Sequence, residues 1–510
     1  MNPVRAAAFL LLVVSAVARP AAGQSSLAPR DAVRAWASPS AVAGLVDPLV
    51  RGARGDVGVA VYSVDRGRAL YGYNLDLVLL PASNMKLYTT AVALDRLGPD
   101  FQYTTSLYVN GPVRPDGTLQ GDVIVVGRGD PTISGRFYGD SAMYVFDRFA
   151  ERLREMGIRR VTGSLIADVS YFDDVRVAAG WEPGNLLWWY GARVSALSFN
   201  DNVVTIEVWP GARPGDASRV LFHPATDVIT VVNRVTTTGA RGGRSIGISR
   251  RPDRGGYEIY GRIPVNSGPL RYVVAVEDPP RYALSVLRGR IERAGVAFEG
   301  WERVIYHRDD LPSSPRRLVA SHSSVRMEEI VRVINKRSQN FFAEQVLKTL
   351  GAVYRDDGSF EDGRRVVQDA LRGLGVPAWE FRMDDGSGLS RLDRTTARIT
   401  AELLVAMRRH DRFEDFYDSL LLAGSDGDPR RLDHPAAVGN VRTKTGTLRG
   451  VSALSGYVTT RDGEVLAFSV ITNGLQGGKG ASIAIEDAVA ERLAAYSAWH
   501  PPLLGRDAGL

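Results

Sequence analysis

Three short motifs supply the residue types that can cleave an amide bond without a histidine. They are Ser-x-x-Lys at 83–86, Ser-x-Asn at 338–340 and Lys-Thr-Gly at 444–446, in that order along the 510-residue chain. By chance, the first two patterns should each occur on the order of once in a chain of this length, and the third roughly ten times more rarely. The ordered set therefore indicates an active-site serine hydrolase more strongly than any single motif does.

The first motif pairs a hydroxyl with an amine. Ser83 and Lys86 are three residues apart, so on a helix they share one face with their Cβ atoms about 5–6 Å apart. The amine is then within reach of a hydroxyl that it could deprotonate. In the first turn of a helix, free backbone N–H groups would also favour a developing oxyanion. The alternative is that Ser83 only caps the helix.

Lys86 can act as a base only in its neutral form. An ordinary lysine has a pKa near 10.4, and half-neutrality at pH 7 requires a perturbation of roughly 4–5 kcal/mol. Burial, the helix terminus and a second cation, for which Lys444 is the candidate, would all act in that direction. Alternatively, Lys86 stays charged until substrate arrives and Ser338 relays the proton. The sequence leaves both routes open.

The second motif precedes an apolar helical segment. At such a loop-to-helix junction, Ser338 and Asn340 can both point into a cleft. The hydroxyl would relay a proton to the leaving amine, and the amide would hold the backbone of the substrate. The alternative is a second capping serine followed by a surface asparagine.

The third motif lies on a predicted strand, where we expect Lys444, Thr445 and Thr447 to share one face. A cation and hydroxyls at a sheet edge suit a carboxylate, and the strand backbone can bind an extended peptide. Gly446 would let that peptide approach closely. The alternative is that this motif merely ends an exposed strand.

Strand and helix patterns surround these motifs. Alternation predicts two strands over 56–73 with a turn at 65–67, and a hairpin over 451–473 with its turn at 461–463. Helical spacing covers 83–97, 324–350, 362–373 and 482–497. Strands at both ends of the catalytic sequence, with helices between them, predict a single sheet that both halves complete.

Residues 105–311 differ in composition from the flanking segments, because short Val- and Ile-rich predicted strands alternate with turns that contain Gly, Pro and Asp. A helix is predicted over 140–156, and 311–315 resembles a linker back to the first domain. The aromatic cluster at 188–190 is expected to pack at a domain interface, with contact to substrate as the alternative. A glycine-rich loop at 385–390 lacks the strand–loop–helix context of a phosphate cradle and is interpreted as a structural turn near the cleft.

The N-terminus and the composition limit the classes of function. Residues 1–23 have the layout of a secretory signal peptide, and the apolar run is short for a membrane anchor of about 20 residues. The absence of cysteine excludes disulfides, a lipoprotein anchor and a cysteine nucleophile, and six histidines without a ligand pattern argue against a zinc peptidase. A net charge of +6 would suit an anionic envelope polymer but also an ordinary solvated surface. No pattern for nucleic acid is present.

The chain resembles the low-molecular-mass, class C penicillin-binding proteins, the D-alanyl-D-alanine carboxypeptidase/endopeptidases. Beyond the three motifs, the similarity lies in the following stretches: GRGDPT, YGARVSALSFNDN, INKRSQNFFAEQVLKTLG, DGSGLSR, RTKTGTL and LSGYVTTRDGEVLAFSVITN. The long separation of the first two motifs matches the large insertion that is typical of class C.

The resemblance implies an α+β fold of the penicillin-binding-protein/β-lactamase-like transpeptidase type, an antiparallel sheet flanked by helices, with a large β-rich insertion. Residues 24–104 and 312–510 would form the catalytic domain and 105–311 the inserted region. It also implies the following roles: Ser83 as nucleophile, Lys86 as base, Ser338 and Asn340 as relay and positioning groups, Lys444 as carboxylate anchor, and the backbone N–H groups of Ser83 and Thr447 as the oxyanion hole.

The implied activity is cleavage of D-Ala-D-Ala, or of a D-Ala-linked cross-bridge, in peptidoglycan stem peptides through an acyl-enzyme. β-Lactams would inhibit it, no cofactor or metal is expected, and the protein would be exported to the periplasm or cell envelope without a membrane span. The alternatives are a serine β-lactamase, which the long insertion argues against, and a non-catalytic envelope-binding protein, which the intact catalytic set argues against. The sequence does not decide between carboxypeptidase and endopeptidase action.

Two positions depart from the family pattern. Gln339 replaces the usual Asp inside Ser-x-Asn, and its side chain is expected to point away from the cleft. The segment 424–432 differs from the family's usual Gly-Thr-Leu after Asp-Gly. This difference leaves the nearby loop and the substrate preference of the protein open.

Overall fold

The computed structural model describes residues 36–498, except 140, 227 and 252–255. The predicted signal segment 1–23 therefore lies outside the described residues. Within the described ranges, no helix is long and apolar enough to span a bilayer.

The helices in the described part of the chain are, in order, α1 (Pro39–Val50), α2 (Met85–Arg96), α3 (Tyr144–Glu155), α4 (Pro279–Arg293), α5 (Met327–Lys336), α6 (Asn340–Tyr354), α7 (Phe360–Gly373), α8 (Ala397–Arg408), α9 (Phe413–Ser419) and α10 (Gly478–Ala495). The strands are β1 (Asp56–Ser63), β2 (Arg68–Tyr73), β3 (Thr104–Asn110), β4 (Thr118–Leu119), β5 (Val123–Val126), β6 (Arg160–Val161), β7 (Leu165–Asp168), β8 (Val203–Trp209), β9 (Arg219–His223), β10 (Val231–Thr238), β11 (Ser245–Arg250), β12 (Tyr257–Pro264), β13 (Leu270–Ala275), β14 (Ala297–Phe298), β15 (Glu302–Ile305), β16 (Arg316–Ser323), β17 (Leu421–Leu422), β18 (Arg442–Leu448), β19 (Val451–Thr459) and β20 (Val465–Asn473).

A six-stranded antiparallel sheet carries the catalytic half of the molecule. Its strand order is β17-β18-β19-β20-β1-β2, so β1, from the start of the chain, pairs with β20, from its end. α1 and α10 belong to the apolar cluster on one face, and α8 packs on the other. The prediction of one sheet completed by both halves is confirmed.

Two helices lie almost entirely in the interior. α2 is buried at ten consecutive positions and α6 at twelve. A helix without an exposed face must be surrounded by other elements, and α2 packs against α5, α6 and α7. The side chains of the first two motifs, at the starts of α2 and α6, are therefore held in the interior of the protein.

The predicted inserted region is rich in β-structure. Residues between β3 and β16 form a five-stranded sheet, in the order β15-β7-β5-β3-β16, and three sheets of three strands each in the part that the structure describes. β16 pairs antiparallel with β3, so the chain leaves and re-enters this region through adjacent strands. The domain limits at 104/105 and 311/312 stay a prediction.

Most predicted elements are present, with three differences. α3 begins at Tyr144, four residues after the predicted start, since residues 142–143 form a turn ahead of it. The segment 324–350 forms two helices, α5 and α6, because Ser338 between them has a left-handed φ of 52° that no α-helix accommodates. α10 begins at Gly478, four residues before the predicted start, since Gly477 supplies the left-handed turn that introduces it. Both hairpins and the helix after Ser83 are confirmed.

We predict that Phe468→Ala lowers the free energy of unfolding by about 3–5 kcal/mol, because it deletes a ring from a closely packed core. Phe468 lies on β20 and is fully buried in the cluster between the sheet, α1 and α10. Trp301→Ala, at a side chain that is 82% exposed, is the control and should cost less than about 1 kcal/mol. Urea unfolding measures both, and similar losses would contradict this description of the core.

Candidate active site

The three motifs meet at one cleft of about 450 Å³. The residues lining it are Ser83, Glu182, Asn185, Trp189, Tyr190, Ser338, Asn340, Gly388, Leu389, Arg391, Thr447, Leu448 and Arg449. Lys86 and Lys444 lie behind this surface and are fully buried. The catalytic sheet, the interior helices and the inserted region thus all contribute to the same cleft.

Ser83 lies on a short 3₁₀ turn, Ala82–Asn84, immediately before α2. Ala82 is buried with a left-handed φ of 46°, a strained conformation of the kind that clusters at functional sites. α2 has no side-chain cap, and the Ser83 hydroxyl instead lies 3.0 Å from Lys86 Nζ. The alternative of a mere helix cap is therefore wrong.

Lys86 Nζ has three oxygen partners. Besides Ser83 Oγ, it lies 2.6 Å from Asn340 Oδ1 and 2.7 Å from the Ser387 carbonyl. A neutral amine donates two hydrogen bonds and accepts one. In that form Lys86 would donate to the two carbonyl oxygens and accept from the Ser83 hydroxyl, whereas an ammonium would donate to all three oxygens.

Burial lowers the pKa of Lys86 from its ordinary 10.5 to about 8, against the opposing charges of Asp385, Glu344 and Asp393. The last two carboxyls are themselves buried. Burial and the charge of Asp385 raise the pKa of Glu344 and of Asp393 well above the usual range. A higher pKa of these two carboxyls weakens their opposition to the neutral amine.

Lys444 is the second buried amine of the site. Its Nζ donates to Ser338 Oγ at 3.0 Å and to the Thr445 carbonyl at 2.7 Å. Burial, followed by the charge of Lys86, lowers the pKa of Lys444 well below its ordinary value. Whether Lys444 in turn helps to keep Lys86 neutral stays a prediction.

Ser338 and Asn340 both form side-chain hydrogen bonds within the protein. Asn340 starts α6, and its Nδ2 donates to the Tyr190 carbonyl at 2.8 Å while its Oδ1 accepts from Lys86. α6 has no side-chain cap and Asn340 is buried, so the alternative of a capping serine with a surface asparagine is wrong. Gln339 points out of the cleft, as predicted, and bonds to Asp201.

The expectation that Lys444, Thr445 and Thr447 share one face of β18 is wrong. Successive residues of a strand point to opposite sides, and β18 pairs with β19 in unbroken register from Arg442 to Leu448. Lys444 and Gly446 therefore face one side, toward Ser338 and Ser83, and the two threonines face the other. Thr447 still lines the cleft because it lies at the mouth.

Gly446 allows the strand and the nucleophile loop to touch. A Cβ atom at this position would stand 2.9 Å from the Pro81 carbonyl and 3.1 Å from the Ser83 backbone nitrogen. Only a residue without a side chain keeps that approach unstrained. Beyond Thr443, the outer edge of β18 has no strand partner among the described residues, so it can accept an extended peptide.

The loop at 385–390 is more than a structural turn. Asp385 accepts hydrogen bonds from the backbone N–H groups of Ser387, Gly388 and Ser390 and from Trp181 Nε1 of the inserted region. This fold directs the Ser387 carbonyl at Lys86. The sequence placed the loop near the cleft but gave no sign of this carbonyl contact.

The aromatic segment at 188–190 lies on the cleft, where Trp189 and Tyr190 form part of its wall. It also has the interface role that was expected, since the Tyr190 carbonyl holds Asn340. A charged rim completes the wall, with Arg391 donating to the Arg449 carbonyl at 2.9 Å. Within the described ranges, no cluster of three or more potential metal ligands occurs.

Comparison with known proteins shows which family the chain resembles over most of its length. The model of the family described as D-Ala-D-Ala carboxypeptidase 3 (S13) matches residues 43–496. A D-alanyl-D-alanine carboxypeptidase from Actinomadura sp. (strain R39) is 34% identical over 473 residues, which cover 90% of this chain and 84% of that protein.

Solved structures show the same fold. Penicillin binding protein 4 (dacB) from Haemophilus influenzae superimposes with a TM-score of 0.78 at 24% identity, covering 88% of this chain and 99% of that one. The same protein complexed with a novel β-lactam gives a TM-score of 0.71, also at 24% identity, over 89% and 99% of the two chains. The expected fold class is confirmed.

We predict that Asp385→Ala destabilises the protein by about 3 kcal/mol or more, because several buried N–H groups lose their acceptor. Its other effect should be a loss of the Ser387 carbonyl contact to Lys86. Asp369→Ala, which removes a carboxylate from exposed ion pairs, is the control and should cost less than about 1 kcal/mol. Equal midpoints for the two variants in urea unfolding would refute this role of Asp385.

Proposed function

The chain belongs to the D-Ala-D-Ala carboxypeptidase 3 (S13) family, and we propose that Ser83 is the nucleophile with which it hydrolyses peptidoglycan stem peptides. One observation carries this assignment. The buried amine of Lys86 lies 3.0 Å from Ser83 Oγ, and its other two neighbours are carbonyl oxygens. This arrangement activates a serine without a histidine.

In the first step, Lys86 accepts the proton of Ser83 as Oγ attacks the carbonyl carbon of the penultimate D-Ala. The backbone N–H groups of Ser83 and Thr447 stabilise the resulting oxyanion. The close approach of Gly446 to the Ser83 nitrogen supports this pairing, because it brings β18 alongside the nucleophile loop.

In the second step, the carbon–nitrogen bond breaks and the leaving amine takes a proton. Ser338 is placed to deliver it, since its Oγ accepts a hydrogen bond from Lys444 Nζ. The products are free D-alanine, or the released cross-bridge strand, and an acyl ester on Ser83. The proton that Lys86 took from Ser83 replaces the one that Ser338 gave up, so Lys86 is neutral again. Lys86 then deprotonates the water molecule that attacks the ester, and this proton returns to Ser83 Oγ as the acyl group leaves as a carboxylic acid.

The substrate lies along the open edge of β18 as an added strand. The approach of its terminal carboxylate favours the charged form of Lys444, whose pKa is lowered by burial in the free protein. Lys444 acts from behind the strand, because it is fully buried. The Thr447 hydroxyl, on the exposed side at the mouth, provides a direct hydrogen bond. Thr445 lies on that same side of β18.

Asn340 orients Lys86 by accepting a hydrogen bond from it, in addition to the predicted contact with the substrate backbone.

β-Lactams would acylate the same serine, as the complex of the Haemophilus protein with a β-lactam suggests for this fold. We also propose export to the periplasm or cell envelope, with removal of residues 1–23. The layout of that segment and the location of a peptidoglycan substrate support this proposal.

Ser83→Ala should abolish the covalent penicillin adduct in intact-mass spectrometry. Release of D-alanine from a defined pentapeptide should fall by about 10⁴-fold or more, as for loss of other serine nucleophiles. Ser40→Ala, at an exposed serine of α1, should leave both unchanged. An adduct that persists in Ser83→Ala would exclude this serine as the nucleophile.

Two further assays separate the remaining alternatives. A cross-linked muropeptide, incubated in parallel, measures endopeptidase action directly. Rapid turnover of a chromogenic cephalosporin by the wild type would instead indicate a β-lactamase.

The rate constant of penicillin acylation should rise with pH through about 8, because the base must be neutral and burial lowers the pKa of Lys86 to that value. Below this pH, the protonated fraction of Lys86 limits the rate. Stopped-flow measurement of acylation from pH 5.5 to 9.5 checks the profile. Lys86→Ala should lose at least about 100-fold and the pH dependence, whereas Lys479→Ala, at an exposed lysine, should retain both. A wild-type profile that is flat across this range would contradict a lysine base.

A further inference from the structure

The side chain between the two catalytic residues of the second motif reaches into the inserted region. Gln339 Nε2 donates to Asp201 Oδ2 at 3.1 Å. Gln339 is 3% exposed and Asp201 8% exposed, so the bond is shielded from water. Hydrogen bonds to a charged acceptor are stronger than neutral ones, which makes this contact a substantial constraint on the backbone around Ser338.

Asp201 is held in an unusual backbone. It is the middle one of three consecutive non-glycine residues with left-handed φ angles, 52° at Asn200, 56° at Asp201 and 54° at Asn202. Such residues persist only where the surroundings determine them strongly. Here Asn200 N donates to the Ile133 carbonyl at 2.8 Å, and Asn202 Nδ2 donates to the Arg193 carbonyl at 2.9 Å.

A guanidinium fixes the carboxylate. Arg136 contacts Asp201 Oδ2 through Nε at 2.8 Å and through Nη2 at 2.7 Å. The same oxygen therefore accepts from both Arg136 and Gln339. Asp201 Oδ1 and Gln339 Oε1 are buried and have no hydrogen-bond partner among the described residues. The side chains of Gln339 and Asp201 are therefore joined by one hydrogen bond, from Gln339 Nε2 to Asp201 Oδ2.

The backbone of Ser338 has a conformation that contacts with its neighbours must hold in place. Its φ of 52° is left-handed, and it lies in the gap between the end of α5 and the start of α6. Its hydroxyl bonds to Lys444, and the residues that follow it are tied to the inserted region, Gln339 by Asp201 and Asn340 by the Tyr190 carbonyl.

We propose that Asp201, fixed by Arg136, is a positioning residue that acts through Gln339 to keep the Ser338 hydroxyl aligned for proton delivery to the leaving group. The inserted region then contributes to catalysis itself, and does more than wall the cleft. This inference rests on the proposed function, because it takes Ser338 as the relay.

The leaving group provides the test. An amine must be protonated as the carbon–nitrogen bond breaks, whereas a thioester expels a thiolate that needs no proton. A misaligned Ser338 should therefore slow cleavage of a D-alanyl-D-alanine amide more than cleavage of the matching D-alanyl thioester. General misfolding would slow both equally.

Three variants probe the link. Gln339→Met keeps the length of the side chain and removes the donor, and kcat/KM for the amide should fall about 10-fold with less than about 2-fold change for the thioester. Gln339→Glu sets a carboxylate against Asp201, and the amide value should fall about 100-fold. The double variant Gln339→Glu/Asp201→Asn restores a donor–acceptor pair but removes the oxygen that accepts from Arg136, so it should recover part of that loss.

Asp147→Asn is the matched control, because it weakens an Asp–Arg pair between α3 and α4 that does not touch the motifs. It should leave the ratio of amide to thioester cleavage unchanged, and thermal unfolding verifies that every variant is folded.

Equal losses on both substrates, no loss in Gln339→Met, or a double variant no better than Gln339→Glu would each overturn the inference while the wild type remains active. A wild type that cleaves neither substrate and forms no penicillin adduct would overturn the proposed function, and this inference with it.

Discussion

The removal of the Lys86 amine from water is the constraint on which the rest of the site depends. An ammonium ion is costly to bury, so the pKa of Lys86 falls and its neutral form becomes accessible near physiological pH. That requires α2 to be enclosed by other elements, which α5, α6, α7 and α9 provide. The hydrogen-bond acceptors of Lys86 must also favour its ammonium form less than a carboxylate would. The carbonyl oxygens of Asn340 and Ser387 meet this condition because they are uncharged.

The sequence allowed the three motifs of the cleft and the central sheet to be predicted, because both depend on local patterns. Spacing placed Ser83 beside Lys86, and alternation placed β1 and β2 and the β19–β20 hairpin. What it missed depends on contacts between distant segments. The Ser387 carbonyl reaches Lys86 only through the fold that Asp385 imposes, and the break before α6 follows from the strained φ of Ser338. The prediction for β18 was wrong because successive residues of a strand face opposite sides, and the unbroken pairing with β19 shows that Lys444 and the two threonines alternate in this way.

The inserted region is structurally continuous with the active site. Trp181 bonds to Asp385, Tyr190 to Asn340 and Asp201 to Gln339, so it contacts both segments that surround Lys86. These contacts bury polar groups that would otherwise lack partners, which ties the packing of the insertion to the geometry of the catalytic amines. A long insertion between two catalytic motifs is compatible with a precise site because its ends, β3 and β16, are paired with each other.

The most direct test of a buried neutral base is the titration of Lys86 itself. Lysine labelled at the side-chain nitrogen or the adjacent carbon, with Lys86→Arg for assignment, allows its protonation to be followed by NMR as a function of pH. The structure predicts a midpoint near 8 in the free protein. A midpoint close to the ordinary value of about 10.4 would contradict the account, because Lys86 would then be charged whenever substrate arrives.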